Sequence, residues 1–285
     1  MEHFVIYTNL HKDSKLTVTN RIRNYLIAHS KQCVLWDGET AEEERKDADC
    51  MIVLGGDGTM LQAARDVQKW NLPLIGVNLG TLGYMTEIEL SALEESLDLL
   101  MNGQFEVESR MMLSGKVEGR QGTEEDLALN DIVISRSGSL QIIKFNILVN
   151  GQFLNNYSAD GVIVTTPTGS TGYNLSAGGP IVEPKARLIM ITPICPHTLN
   201  QRSIILSPED VIEIEISEGR EGCVQTVEAN FDGNHVVPMH TGERIKIVQS
   251  EKTTDIIQLN KVSFLEVLHK KLSENLGEHD EEGQA

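Results

Sequence analysis

The chain is poor in aromatic residues: two Trp, five Tyr and six Phe make up 5% of its 285 residues. Its core must therefore be mostly aliphatic. It has four cysteines, Cys33, Cys50, Cys195 and Cys223, with no CxxC pair and no His at zinc-finger spacing. That argues against a thiolate metal centre and reads as four reduced, mostly buried thiols of a cytoplasmic protein. Basic residues are scarce. Against 42 Asp and Glu there are 24 Lys and Arg, a formal net charge of −18, which excludes the nucleic-acid backbone and anionic lipid surfaces as partners. The longest uncharged stretch, residues 161–182, is too rich in Gly, Thr, Ser and Pro to cross a membrane. The start, Met-Glu-His-Phe-Val-Ile, has neither the basic nor the apolar region of a signal peptide. The sequons at Asn156 and Asn174 then read as chance matches.

Familiar catalytic signatures are missing too. There is no GxxxxGK[ST], no GxGxxG, no HExxH and no GxSxG, which argues against a P-loop enzyme, a standard dinucleotide fingerprint, a zincin and a nucleophile elbow.

What remains is a chain that is 40% hydrophobic, in periodic runs, and long enough for two domains at roughly 100–200 residues each. The first hundred residues alternate strand and helix patterns: strands over 3–8, 32–36, 51–54 and 73–77, and helices over 13–30, after residue 58 and over 91–101. Met51-Ile52-Val53-Leu54 is continuously apolar, as in a parallel strand buried on both faces. Met60, Ala63, Ala64 and Val67 then share one helix face. From about Phe105 strand patterns follow one another: 127–135, 142–149, 162–166, 187–191, 202–206, 211–216, 223–228, 244–248 and 255–259. Asn150-Gly151 signals a hairpin. A last amphipathic helix spans 262–272, with Phe264, Leu265, Leu268 and Leu272 on one face. The expected organisation is a doubly wound, Rossmann-like α/β domain over 1–104, an all-β domain over 105–260, a C-terminal helix over 261–276 and an acidic tail over 277–285.

The most informative segment is Leu54-Gly55-Gly56-Asp57-Gly58-Thr59. It follows a buried strand and opens a helix, where backbone N–H groups and the helix dipole hold phosphates. At average glycine usage such a string at such a junction arises by chance in roughly one chain in a thousand or fewer. Asp57 repels bare phosphate. It therefore points to a metal-linked role or a proton acceptor for an incoming hydroxyl, the plain alternative being a turn with a helix-capping Asp. A second segment runs from Asp160-Gly161 through Thr166-Pro167-Thr168-Gly169-Ser170-Thr171-Gly172-Tyr173-Asn174-Leu175-Ser176 to Gly178-Gly179-Pro180. It packs many hydroxyl and amide groups into a small volume and reads as the other wall of a nucleotide cleft.

Together these segments, with Asn130-Asp131 and Asp232-Gly233-Asn234, resemble the NAD kinases of bacterial type over nearly the whole chain. The glycine loop alone is shared with diacylglycerol-kinase-like and phosphofructokinase-like enzymes; the second block is the more specific. The resemblance implies ATP-dependent phosphorylation of the adenosine-ribose 2′-hydroxyl of NAD, giving NADP, with Mg²⁺ carried on the donor phosphates. It also implies a C-terminal β-sandwich, a final helix returning to the first domain, and a homodimer or homotetramer. By the same resemblance Asp57 is the base, and Gly55, Gly56, Gly58 and Thr59 form the phosphate loop. Asn130, Asp131, Ser158, Asp160, Thr171, Gly172, Tyr173, Asn174, Leu175, Ser176 and Asn234 then join Asp57 and Gly58 in binding the nucleotide. Without it, Asn130-Asp131 would read as a strand-edge turn, Asp160 as a strand-start cap, Tyr173 as half-buried core and Asn234 as a turn residue. Gly172 replaces a common Ala, Ser158 stands where many relatives carry Arg or Lys, and Gln62 where some carry a basic residue. Another hydroxyl kinase of the same superfamily and a non-catalytic dinucleotide sensor are the alternatives.

Charge is the physical tension, since protein and substrates are all anionic. Residues 39–49, 124–126, 209–221 and 277–285 carry −4, −3, −5 and −4. They read as a connecting loop, a hairpin tip, a strand with its turn and a disordered end, leaving a nearly neutral cleft. Arg136, Lys144 and Arg202 are candidate local cations.

Overall fold

The computed structural model describes residues 1–36, 47–80, 83–119, 122–138, 142–198, 202–259 and 263–277. Most of the acidic segment at 39–49 and of the tail at 277–285 lies outside them. The chain forms two compact units. The first comprises Met1–Ser109 and Thr254–Ala285, and the second Arg110–Thr253.

The first unit is built on parallel strands β1 (His3–Thr8), β2 (Gln32–Leu35), β3 (Cys50–Gly55) and β4 (Leu74–Asn78). Every residue of β3 is buried, so both its faces need cover and both its edges need a partner. β1 takes one edge, with Phe4 beside Cys50, and β4 the other, with Met51 beside Leu74. β2 lies outside β1. The short β5 (Thr86–Ile88) and the end of β17 (Arg244–Gln258) line the far edge of β4. Helices α1 (Thr17–Ala28), α2 (Asp57–Val67) and α3 (Leu93–Met101) connect or cover the strands. Their apolar stripes close an aliphatic core that includes Ile22, Leu26, Leu93, Leu97 and Leu100 against Ile6, Ile52, Leu54 and Ile75. Each such side chain contributes about 1.5–3 kcal/mol by leaving water. Met60, Ala63, Ala64 and Val67 are the buried face of α2, as the spacing predicts. α1 starts four residues later than predicted, because Asp13 stops short of the helix and serves its amides from outside.

The second unit is a sandwich of antiparallel strands. One sheet runs β13 (Ile204–Leu206), β12 (Ile189–Ile194), β11 (Gly161–Thr165), β8 (Asp131–Arg136), β15 (Thr226–Phe231) and β16 (His235–His240). The other includes β10 (Gln152–Ala159), β9 (Ile143–Val149), β14 (Ile212–Ile216) and the start of β17, with β6 (Glu106–Gly119) and β7 (Gly122–Ala128) as a further pair. Inward side chains of both sheets, among them Ile134, Val164, Ala229, Phe145, Ile147 and Ile214, form one core. Asn150 and Gly151, both in the left-handed region at φ 51° and 75°, turn the predicted hairpin between β9 and β10.

Several expectations need correction. The single strand predicted over 127–135 is two, β7 and β8, interrupted at Leu129-Asn130. The two predicted at 244–248 and 255–259 are one, β17. Residues 124–126 are not a hairpin tip: Glu125 sits within β7 opposite Lys116, a cross-strand pairing of unlike charges. Cys195 and Cys223 are exposed rather than buried. The last helix, α5 (Phe264–Gly277), which follows the short α4 (Tyr173–Ser176) in the chain, is turned from its predicted phase. Leu265 and Leu272 are 69% and 52% exposed, while Phe264, Val267, Leu268 and Lys271 are half-buried at helical spacing.

Asp13 accepts the amides of Thr17, Val18 and Thr19 at 2.7, 3.3 and 2.9 Å and the Thr19 hydroxyl at 2.8 Å. Burial alone would push its carboxyl up. These hydrogen bonds outweigh burial and hold it below the usual range. Its contribution is thus present above the unfolded carboxylate value and is lost as pH falls through the lowered folded one. Asp13→Ala should destabilise the protein by about 1–2 kcal/mol near neutral pH. In denaturant titrations the gap to the parent should close in acid; a gap independent of pH would contradict the account.

Candidate functional site

In the first unit the chain leaves β1 towards β2 on one side and leaves β3 towards β4 on the other. The strand order therefore reverses between β1 and β3, and the loops at their carboxyl ends diverge. That is the switch point at which open α/β sheets leave a crevice. A cavity of about 600 Å³ opens there, lined by residues 7–12, 56–59, Gln62, Gly83 and Lys271.

Gly56 precedes α2 in extended backbone and Asp57 is the first helical residue. Asp57 does not cap its own helix. Its Oδ2 accepts the amide of Tyr84 and its Oδ1 that of Met85, both at 2.9 Å. These two bonds aim the carboxylate and leave lone pairs on both oxygens. Gly83 is required there, because a Cβ would run into the Asp57 carboxylate. Thr59 is buried and links two loops: its hydroxyl accepts from Asn9 Nδ2 at 3.0 Å and weakly, at 3.5 Å, from the Gly56 amide. The Asn9 amide donates to Leu54 O at 3.0 Å, which fixes the β1 loop to the end of β3. Lys12 Nζ lies 3.2 Å from where a Gly56 Cβ would stand. Tyr84 contacts Phe264 ring to ring at 6.0 Å, and Lys271 Nζ stands 4.7 Å over its centroid.

The second unit gathers another cluster at the interruption between β7 and β8. Asp232, in the β15–β16 turn, accepts the amides of Leu129, Asn130 and Asp131 at 2.7, 2.8 and 3.0 Å. Asn130 O accepts the Thr166 amide at 2.9 Å and the Thr165 hydroxyl at 3.0 Å. Gly169 approaches that carbonyl so closely that a Cβ would collide with it. The Asn130 side-chain Oδ1 is buried without a hydrogen-bond partner, a state proteins seldom keep unless something else satisfies the atom. Gly172 stands beside Asn130 Nδ2 but relieves no clash, since a Cβ would be 3.4 Å away, in ordinary contact.

Asn174 is fully buried and internally satisfied. Its Nδ2 donates to Ser170 O and Pro180 O at 3.3 and 3.1 Å, and its Oδ1 accepts from Thr192 at 2.6 Å. It fastens the loop from within. Around it Tyr173, Leu175 and Ser176 are exposed, while Thr171 and Gly172 are half-buried. Tyr173, at 48% exposure, is not core. Asn234 is exposed in its turn.

Ser158 and Asp160 do not join this cluster. Asp160 precedes β11 and Thr166 follows it, so the strand separates Asp160 from Asn130 by about 20 Å. Arg136 Nη2 lies 3.9 Å from the Asp160 carboxylate, and Lys144 pairs with Ser158 across β9 and β10. Position 158, which carries no basic side chain, thus has the cation Lys144 opposite it on β9, while Arg136 stands beside Asp160.

Sequence reasoning missed Asn9, Lys12 and Lys271, the amides of Tyr84 and Met85, and the clamp formed by Asp232. The β1 loop could have been found by the switch-point rule. Lys271 was hidden by the mistaken helix phase.

Asp131 is buried. Burial first, and then the charge of Asp232, push its carboxyl up to about 7. The folded chain holds this proton more tightly than the unfolded one. That contribution is complete below about 3.8 and is lost as pH rises through about 7. Asp131→Asn should therefore gain stability relative to the parent between pH 5 and pH 8 in thermal melts. A constant difference across that range would remove the assignment.

The sequence model of the ATP-NAD kinase N-terminal domain matches residues 2–105, and that of the C-terminal domain residues 129–259. An NAD kinase of Lachnospira eligens is 43% identical, over 95% of this chain and 100% of that protein. One of Agathobacter rectalis is also 43% identical, over 95% and 99%. The crystal structure of an NAD kinase from Archaeoglobus fulgidus in complex with ATP aligns with a TM-score of 0.78 at 26% identity, covering 96% of this chain and 99% of that one. Yeast NADH kinase complexed with NADH has the same fold, at a TM-score of 0.79 and 22% identity, with 96% and 88% covered.

Proposed function

The chain belongs to the NAD kinase family, and from that premise we propose which of its residues carry the reaction. It phosphorylates NAD with ATP to give NADP. Phosphoryl transfer asks for positioning and charge stabilisation more than for covalent help. Asp57 receives the proton of the attacking 2′-hydroxyl. The observation that carries this role is its carboxylate, aimed by two amides at the rim of a cavity while keeping free lone pairs. Gly55, Gly56, Gly58 and Thr59 cradle the donor phosphates at the amino end of α2, where the dipole favours negative charge. NAD is bound by Asn130, whose orphaned Oδ1 awaits a donor, by Asp131, which near pH 7 can donate or accept, and by the exposed 171–176 stretch with Asn234. Asn174 acts within that stretch as a positioning residue. Ser158 and Asp160 contribute from the other end of β11, with Lys144 and Arg136 supplying charge.

Among the described residues no group of three His, Cys, Asp or Glu could hold a metal ion. Mg²⁺ that arrives on substrate phosphates needs only one or two protein oxygens. Asp57, with the Thr59 hydroxyl nearby, supplies hard oxygen donors and fits that minimal role. When bound, the ion neutralises phosphate charge. Calorimetric titration with Mg²⁺ should accordingly show saturable binding only when ATP is present; a tight site in nucleotide-free protein would contradict it.

A cytoplasmic homodimer or homotetramer is part of the same reading. Four free thiols support the compartment. No helix among the described residues is long and apolar enough to cross a membrane. The exposed Phe153 and Leu154 on edge strand β10 offer an apolar contact surface.

Asp57→Asn should cut NADP formation by about 10²–10⁴-fold, the usual contribution of a general base. NAD affinity should stay close to that of the parent. Near-normal turnover in a coupled assay with ATP and NAD would sink the assignment.

A further inference from the structure

A polyanionic donor entering a chain of net charge −18 needs local cations, and the side chains proposed from the sequence lie elsewhere. Two lysines do line the cavity beside the glycine loop, one from each end of the chain. Lys12 follows β1, and its ammonium lies within about 3.3 Å of Cβ positions built on both Gly56 and Gly80. It thus stands directly against bare backbone at the mouth of α2. Among the described residues that ammonium has neither a carboxylate nor a hydrogen-bond partner. Lys271 reaches the same cavity from the half-buried face of α5. It rests on the Tyr84 ring, a cation–π contact that fixes the ammonium without cancelling its charge. The Tyr84 amide in turn holds Asp57. Among the described residues that line the cavity, Asp57 is the one acidic side chain.

We infer that Lys12 and Lys271 are the polyphosphate-binding pair of the donor site, and that α5 is a working part of that site. This rests on reading the cavity as the donor site. Lysine suits the task as a mobile point charge with three donors, able to follow a phosphate whose charge shifts during transfer. The pair supplies two positive charges where the glycine loop supplies amides, with the Asp57 carboxylate beside them.

The test uses full-length Lys12→Met and Lys271→Met, which keep the aliphatic stem and remove the charge. Each should raise the KM for MgATP about tenfold, equivalent to 1.4 kcal/mol, while the KM for NAD stays within about twofold. Inorganic tripolyphosphate should compete with ATP in the parent and lose potency in both variants, whereas adenosine should inhibit all three alike. Added salt should weaken ATP use less in the double variant than in the parent. Unchanged KM for MgATP in both variants overturns the proposal. So does a parallel loss for adenosine and tripolyphosphate, which would signal a collapsed cavity. Gly58→Val separates the two levels, because a Cβ there meets nothing within 4 Å and the added methyls enter the cavity. If Gly58→Val raises the KM for MgATP and the lysine variants do not, the pair alone is wrong. If none of the three changes it, the donor site itself is misplaced.

Discussion

Strand Cys50–Gly55 has no wet face and no free edge, and the first unit follows from that. An aliphatic strand buried on both sides must lie inside a parallel sheet with a partner on each flank. Parallel partners require crossover helices, and a chain that fills both flanks in turn must reverse its strand order somewhere. The reversal falls between β1 and β3. The cavity beside Gly56 and Asp57 is what remains where the two loops part. Its location is thus set by the burial of five apolar side chains and a glycine rather than by any residue in it.

The same structure gives the acidic composition a second meaning. Asp13, Asp57 and Asp232 each spend their carboxylate on backbone amides: three for Asp13, two for Asp57 and three for Asp232. Asp49 does likewise for the amides of Glu2 and His3. These are strand ends, helix starts and chain breaks, where amides lack a regular partner. Ionised acceptors there fix loops that a neutral residue would hold less firmly. Surface acids such as Glu213 and Glu215 are drawn instead to Arg244, at 2.6 and 2.8 Å.

Much of this was legible in the residue pattern. The apolar run of β3, the glycine loop after it, the stripe of α2, the Asn-Gly hairpin and the strict alternation of β14 all declare themselves locally. What stayed hidden depends on neighbours. Nothing in Asn9 or Lys12 reveals that β1 lies beside β3. Leu127 to Ser135 looks like one strand because the clamp that breaks it comes from Asp232, far along the chain. Motif membership also conceals division of labour: Asn174 sits among exposed residues, yet its amide is wholly consumed inside. Asp160 and Asn130 belong to one signature and stand at opposite ends of β11. The helix phase at the C-terminus went astray because Lys271 ranks as polar by composition, although it is half-buried with its ammonium over the Tyr84 ring.

The two units are not equivalent as pieces of chain. Arg110–Thr253 is continuous, whereas the first unit is assembled from Met1–Ser109 and Thr254–Ala285. During synthesis the early part of the first unit emerges with the Leu74 flank of β4 still lacking β17, and with Tyr84 lacking the ring of Phe264 and the ammonium of Lys271. Chains usually fold in the order in which they leave the ribosome. Here the first unit is complete only once the segment from Thr254 onward has joined it. Tyr84, whose amide aims Asp57, thus gains the ring of Phe264 and the ammonium of Lys271 only after the second unit has been made.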